Sequence, residues 1–197
     1  MEAKQLDRLT IAAYLQLESA AGKKYEYHDG YIQAMAGGTL NHGLICGNVF
    51  GELRSALKAQ SRDCRAMTSE IKLYIAAENC FLYPDAMVVC GDIAKAAATE
   101  NAVTNPVLIV EVLSKTTASY DRGDKFHLYR QIASLQEYVL IEQDKAQAEV
   151  YQRQAGLWKI TRITGLEQHL YLHSIGVEIP LANLYEDVEF AAEEQIG

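Results

Sequence analysis

Val107-Leu108-Ile109-Val110-Glu111-Val112-Leu113, entered through Pro106 and closed by Ser114, is the stretch on which the fold turns. Alternation puts Ile109, Glu111 and Leu113 on one face of an extended chain and Val110 and Val112 on the other. Both faces are apolar, which marks a central strand covered on two sides. Glu111 interrupts it, either partly buried or at a cleft-facing end. A lone carboxylate in such a place costs several kcal/mol or more unless something cationic meets it. The same difficulty recurs in Tyr83-Pro84-Asp85-Ala86-Met87-Val88-Val89, where Asp85 stands at the mouth of a second apolar run. A hard divalent ion is one neutraliser, since Mg²⁺ takes oxygen ligands and typically one or two carboxylates. A plain salt bridge at a strand end is the competing explanation for either acid alone.

A cation lies downstream. The threonines of Ser114-Lys115-Thr116-Thr117 can cap a helix running from about Ser119 to Ala133. On it Asp121, Lys125, Leu128 and Ile132 form one stripe, and Phe126, Tyr129 and Ala133 the adjoining one. Lys125 therefore lies on or beside the apolar face. It can snorkel, pair with Asp121 one turn earlier, or reach over the strand ends toward Glu111. Lys115 is four residues from Glu111 along an extended chain, about 13 Å, too far for a shared site without a sharp turn.

Further out, helix, strands, helix and strand alternate, the pattern of an α/β domain with a mixed sheet flanked by helices. Thr10 caps a first helix that Gly22 ends, and Asp29-Gly30 reads as a two-residue hairpin turn. Leu44, Ile45, Val49, Leu53 and Leu57 recur at helical spacing within a longer helix from about Thr39 to Gln60. Residues 66–76 and 81–90 read as strands, 91–105 as a connector, and 137–141, 148–152 and 158–161 as the β-rich end. No repeat or Pro/Gly-rich linker divides the 197 residues, so one domain is expected over 1–197, with a core of about 10–185 and a looser C-terminal tail.

Composition narrows the function classes. No apolar run approaches a membrane span, and Met1 to Asp7 lacks the layout of a secretory signal. Cys46, Cys64, Cys80 and Cys90 are irregularly spaced, with no C-x-x-C and no Cys/His cluster in view. Free thiols in a reducing cytoplasm are the expectation. A formal charge of −8 counts against tight, non-specific gripping of DNA. Any basic surface is local, with Lys115, Arg122, Lys125 and Arg130 the densest candidate and Lys23-Lys24 and Arg62 with Arg65 weaker additions.

Taken together, Pro84-Asp85, the run from Pro106 to Ser114, Asp121, Lys125, Tyr129 and Glu137-Tyr138 resemble the Uma2 family of the PD-(D/E)XK nuclease-like superfamily. Tyr25-Glu26 with Asp29-Gly30, and His42 at the start of the long helix, look like that family's N-terminal signature. The resemblance covers roughly 10–185 and implies a restriction-endonuclease-like α/β core around a central mixed sheet. It implies Mg²⁺ or Mn²⁺ held by Asp85 and Glu111, and phosphodiester hydrolysis of nucleic acid, DNA above all, by a homodimer. The superfamily's lysine normally stands two residues after the second acid, where this chain has Leu113. Lys125 is then the migrated amine, positioning the attacking water or stabilising charge on phosphorus. Lys115 is a second departure, at a place where relatives usually have proline. Glu70-Ile71-Lys72 precedes Asp85 and cannot fill the motif in order. Glu70 and Glu26 remain auxiliary acids, and His42 a phosphate contact or a structural hydrogen-bonding group. A nuclease-like fold serving as a non-catalytic nucleic-acid or protein interaction module is the alternative.

Overall fold

A computed structural model describes residues 8–35 and 37–190; the N-terminal stretch 1–7 and the last part of the expected loose tail lie outside them. The elements run α1 Ile11–Ala21, β1 Tyr25–His28, β2 Tyr31–Ala34, α2 Leu40–Ala59, β3 Cys64–Thr68, β4 Lys72–Ile75, β5 Cys80–Leu82 and β6 Ala86–Cys90. Then come β7 Lys95–Ala96, β8 Thr99–Val103, β9 Leu108–Leu113, α3 Ala118–Tyr120, a π turn Asp121–Lys125 and α4 Phe126–Tyr129. The chain finishes with β10 Glu137–Glu142, β11 Gln147–Gln154, β12 Leu157–Thr164, β13 His169–Leu172, β14 Val177–Pro180 and α5 Leu181–Leu184.

Two six-stranded mixed sheets organise these elements. The central one runs β12-β11-β10-β9-β6-β3, with β9 and β10 parallel and its other neighbours antiparallel. All six residues of β9 are buried, as its two apolar faces require. On one face Val110 and Val112 pack with Ile45, Val49, Leu53 and Leu57 of α2 and with the β13–β14 hairpin. On the other, Ile109 and Leu113 meet Tyr129, Tyr138 and residues of the second sheet, β2-β1-β5-β4-β8-β7. α1 lays Tyr14 against Tyr27 and Phe81 of that sheet. Its ends follow the capping residues: Thr10 Oγ accepts from the Ala13 N–H, and Gly22 ends it in the left-handed conformation.

Several expectations are corrected. The 66–76 run breaks at Ser69–Ile71 into β3 and β4, and the 81–90 run breaks at Pro84. The 91–105 connector contains β7 and β8. The helix expected over 119–133 is shorter and not regular. Its carbonyl at Asp121 accepts from the Tyr138 hydroxyl at 3.0 Å, and Gly123 with two aspartates weakens the α propensity there. A π turn results, a form frequent at functional sites. The cysteines are not all free, because antiparallel pairing of β3 with β6 sets Cys64 opposite Cys90 and the two form a disulfide. Cys46 and Cys80 are thiols.

Glu137 shows how the sheet is tied to its cover. Fully buried at the start of β10, it accepts from the backbone N–H groups of His173 and Ser174 and from the Ser174 hydroxyl, at 2.9, 2.8 and 2.6 Å. Glu137→Ala removes the acceptor of all three hydrogen bonds and should cost about 3 kcal/mol in urea unfolding.

Candidate active site

The site forms where β6 and β9 separate. Their antiparallel register pairs Ala86 with Val110, and one step further places Asp85 opposite Glu111, on the same face of the sheet. Pro84 cannot donate to the ladder, and the pairing of β6 with β9 stops at Ala86 and Val110. The Asp85 side chain takes over the acceptor role, its Oδ2 receiving the Val112 N–H at 2.8 Å. The two strand acids are therefore adjacent because the ladder ends between them.

Lys125 completes the centre from the π turn. Its ammonium lies 2.9 Å from Glu111 Oε1 and 3.4 Å from both Glu26 Oε1 and Asp121 Oδ1, and it is only 7% exposed. The lysine thus both pairs with Asp121 and reaches Glu111. Tyr129 donates its hydroxyl to Glu111 Oε1 at 2.6 Å, and Tyr120 to Glu26 Oε2 at 3.4 Å. His42, in the first turn of α2, places Nε2 3.4 Å from Asp85 Oδ2 and Nδ1 3.5 Å from Cys46 Sγ. Glu26, His42, Asp85, Glu111, Tyr120, Asp121 and Lys125 line a cleft of about 570 Å³, whose wall also carries Gly37–Asn41, Ser114–Thr117, Gln143 and Asp144.

Four carboxylates, of Glu26, Asp85, Glu111 and Asp121, face one ammonium and two imidazoles, His42 on Asp85 and His28 3.5 Å from Glu26. Burial pushes Glu111 up to about 8, and the nearby Asp85 and Asp121 charges add to it against the pull of Lys125. Burial also raises Asp121. Burial would raise Asp85 too, but the hydrogen bond and charge of His42 hold it below the usual carboxylate range. At Glu26, His28 and Lys125 outweigh burial and lower it. Lys125 is disfavoured by burial yet held well above an ordinary lysine by Glu111, Glu26 and Asp121. Asp85 raises His42. The strain of gathering this much negative charge is concentrated on Glu111.

Asp85, Glu111, Lys125, Glu26 and His42 thus come together. Glu70 does not: it lies in the β3–β4 turn, paired with Lys24 at a separate groove. The expected basic patch is also dispersed. Lys125 is enclosed by acids, Lys115 is exposed and 3.9 Å from Asp144, and Arg122 binds Glu142 at 2.6 Å and Glu149 at 3.4 Å. Burial opposes ionisation of Glu149, but hydrogen bonds from Arg122 and Arg162 prevail and lower it. A depressed carboxyl stabilises above the unfolded acid's pKa and loses that contribution as pH falls through the folded value. Glu149→Gln should therefore flatten the acid limb of a plot of unfolding free energy against pH; an unchanged limb would deny Arg122 its structural role.

The sequence does not single out Cys46 or Tyr120, and it marks Tyr129 as a motif residue without a role. His42 and Cys46 are four apart on one helix face, a spacing that the search for C-x-x-C passed over. Tyr120 carried no polar signal of its own.

Comparison with known proteins gives concordant results. The family model Uma2, described as "Putative restriction endonuclease", matches residues 11–182. Two proteins of Synechocystis sp. (strain ATCC 27184 / PCC 6803 / Kazusa) are similar. "Uncharacterized protein sll1609" is 38% identical over 158 residues, 80% of this chain and 88% of that protein. "Uncharacterized protein slr1290" is 34% identical over 184 residues, 93% and 94% of the two. A crystal structure from Anabaena variabilis ATCC 29413, titled a "putative nuclease belonging to DUF820", superposes with a TM-score of 0.73 at 19% identity, over 92% of this chain and 99% of that one. The α/β nuclease-like fold is therefore shared.

Proposed function

From the premise that this chain belongs to the Uma2 family, we propose that it is a metal-dependent endonuclease acting on DNA as a single functional domain. The observation that carries the reading is the Lys125 ammonium seated 2.9 Å from Glu111 beside Asp85 in an open cleft. The residues fit a hard divalent ion. Their donors are carboxylate oxygens, they exceed the local cations in charge, and burial, with the charges of Asp85 and Asp121, drives Glu111 toward its neutral form. Asp85 and Glu111 would hold Mg²⁺ or Mn²⁺, which when bound polarises a phosphate oxygen and acidifies a water.

The chain's own groups supply the rest. Val112 fixes Asp85 and Tyr129 fixes Glu111, so both acids are held before substrate arrives. Lys125 donates toward the water or the charge developing on phosphorus. Glu26 and Asp121 hold that ammonium in place, and Glu26 is also positioned to receive a proton. His42, raised by its neighbour Asp85, is a phosphate contact at the cleft wall. Cutting both strands of a duplex calls for two copies, so a homodimer is the working form. No helix among the described residues is long and apolar enough to cross a membrane. Action in the cytoplasm would expose the Cys64–Cys90 bond to reduction, which the backbone pairing of β3 with β6 can survive.

Incubation of the protein with supercoiled and single-stranded DNA plus Mg²⁺ or Mn²⁺ tests the reading. Cleavage abolished in Asp85→Asn supports it. Leu113, in place of the superfamily's lysine, favours a second reading in which the fold binds without turnover. DNA retained on the protein without cleavage under either metal would select that one.

A further inference from the structure

We propose that His42, Cys46 and Asp85 form a thiophilic metal centre in the cleft wall, suited to a borderline transition ion such as Zn²⁺ or Co²⁺. The centre shares Asp85 with the hard-metal pair of the proposed nuclease site but needs neither Glu111 nor Lys125.

Geometry carries the argument. One ligand atom from each of the three residues lies within 4.8 Å of the other two. His42 and Cys46 project from the same face of α2, with Sγ 3.5 Å from Nδ1. A tetrahedral zinc with Zn–S of 2.3 Å and Zn–N of 2.0 Å sets those two ligands about 3.5 Å apart. The helix thus holds Sγ and Nδ1 at the spacing an ion demands, while Asp85 Oδ2 faces the ring's Nε2 at 3.4 Å and must swing toward the ion to join them. Asp85 is kept beside them by the Val112 N–H.

Room at the imidazole is also provided. A Cβ on Gly38 would stand 2.9 Å from His42 Nδ1, so glycine at that position keeps the ring edge clear. All three residues are partly buried, and His42 and Asp85 line the cleft. Three protein ligands with a fourth position open to solvent is the arrangement of reactive zinc sites, in contrast to closed structural ones.

The donor set decides the metal. Thiolate and imidazole favour zinc and cobalt, whereas Mg²⁺ prefers oxygen throughout. On binding, the Cys46 S–H bond breaks, its proton passes to solvent and a sulfur–metal bond forms, with no change of oxidation state.

Titration of the metal-free protein with Co²⁺, followed by absorption, tests the proposal. A sulfur-to-cobalt charge-transfer band should appear in the near ultraviolet and saturate at about one ion per chain. It should be absent from Cys46→Ser, and His42→Ala should weaken binding by at least about tenfold. The other thiol–imidazole pair, Cys80 with His28 at 3.7 Å, is the control: Cys80→Ser should keep the band. Glu111→Gln, which removes a ligand of the hard-metal pair, should also keep it. No band in the unmodified protein, a band that survives Cys46→Ser, or one lost in Cys80→Ser or Glu111→Gln overturns the centre. Absence of the band beside intact Mn²⁺ binding rejects this centre alone. A normal band beside absent Mn²⁺ binding rejects the hard-metal reading alone.

Discussion

Lys125→Met should destabilise the metal-free protein by about 3–5 kcal/mol, the largest single loss expected from any substitution in the site. Lys125 is 7% exposed, and its ammonium lies within 3.4 Å of Glu111, Glu26 and Asp121. Methionine fills the same space but leaves three buried carboxylates facing one another and Asp85. Glu111, raised to about 8, is already largely protonated near neutral pH, which places the effect toward the lower end of the range. Urea unfolding in the presence of a chelator reads it directly. Saturating Mg²⁺ should then stabilise the variant by more than it stabilises the parent, because the ion replaces charge that the lysine supplied. At a hundredfold excess over its dissociation constant, ligand binding is worth about 2.7 kcal/mol. A loss below about 1 kcal/mol without metal would mean that the acids are not ionised around Lys125. Loss of cleavage in a variant refolded by Mg²⁺ would show that the amine acts in the reaction as well as in the fold.

Asp85→Asn is expected to have the largest effect on activity, at least about a hundredfold in cleavage rate at limiting Mg²⁺, with little effect on folding. The amide oxygen can still accept the Val112 N–H that the carboxylate now receives, so the strand junction keeps its hydrogen bond. What is lost is charge: one ligand anion, and the partner that raises His42. Raising Mn²⁺ should recover part of the rate, since the defect is one of metal affinity. A rate within a few-fold of the parent at limiting metal would remove Asp85 from the reaction.

Much of this site was legible in the chain because its cause is local. A carboxylate in an apolar run is conspicuous in any sequence, and Asp85 and Glu111 both announce themselves that way. Lys125 follows from its place on the helix face, the hairpin at Asp29-Gly30 and both ends of α1 follow from capping and turn chemistry, and α2 follows from its apolar spacing. What escaped depends on tertiary pairing. The Cys64–Cys90 bond exists because β3 and β6 lie side by side, 26 residues apart in sequence. The π turn depends on a hydroxyl reaching Asp121 from Tyr138 on β10. Glu70 resembled a site acid by its E-x-K context, yet the turn between β3 and β4 carries it to Lys24. Arg122 looked like part of a basic surface until Glu142 and Glu149, on separate strands, closed on it. Local patterns identify residues that cannot be content alone, and only the fold reveals which partners answer them.

Calorimetric titration of the chelator-treated protein with Mn²⁺, run beside Asp85→Asn and Glu111→Gln, tests the nuclease site most directly. The unmodified protein should bind one or two ions, and each variant should lose at least about tenfold in affinity while keeping its fold by circular dichroism. Binding of equal strength in all three, or none in the unmodified protein, would contradict the assignment of Asp85 and Glu111 as the metal-holding pair.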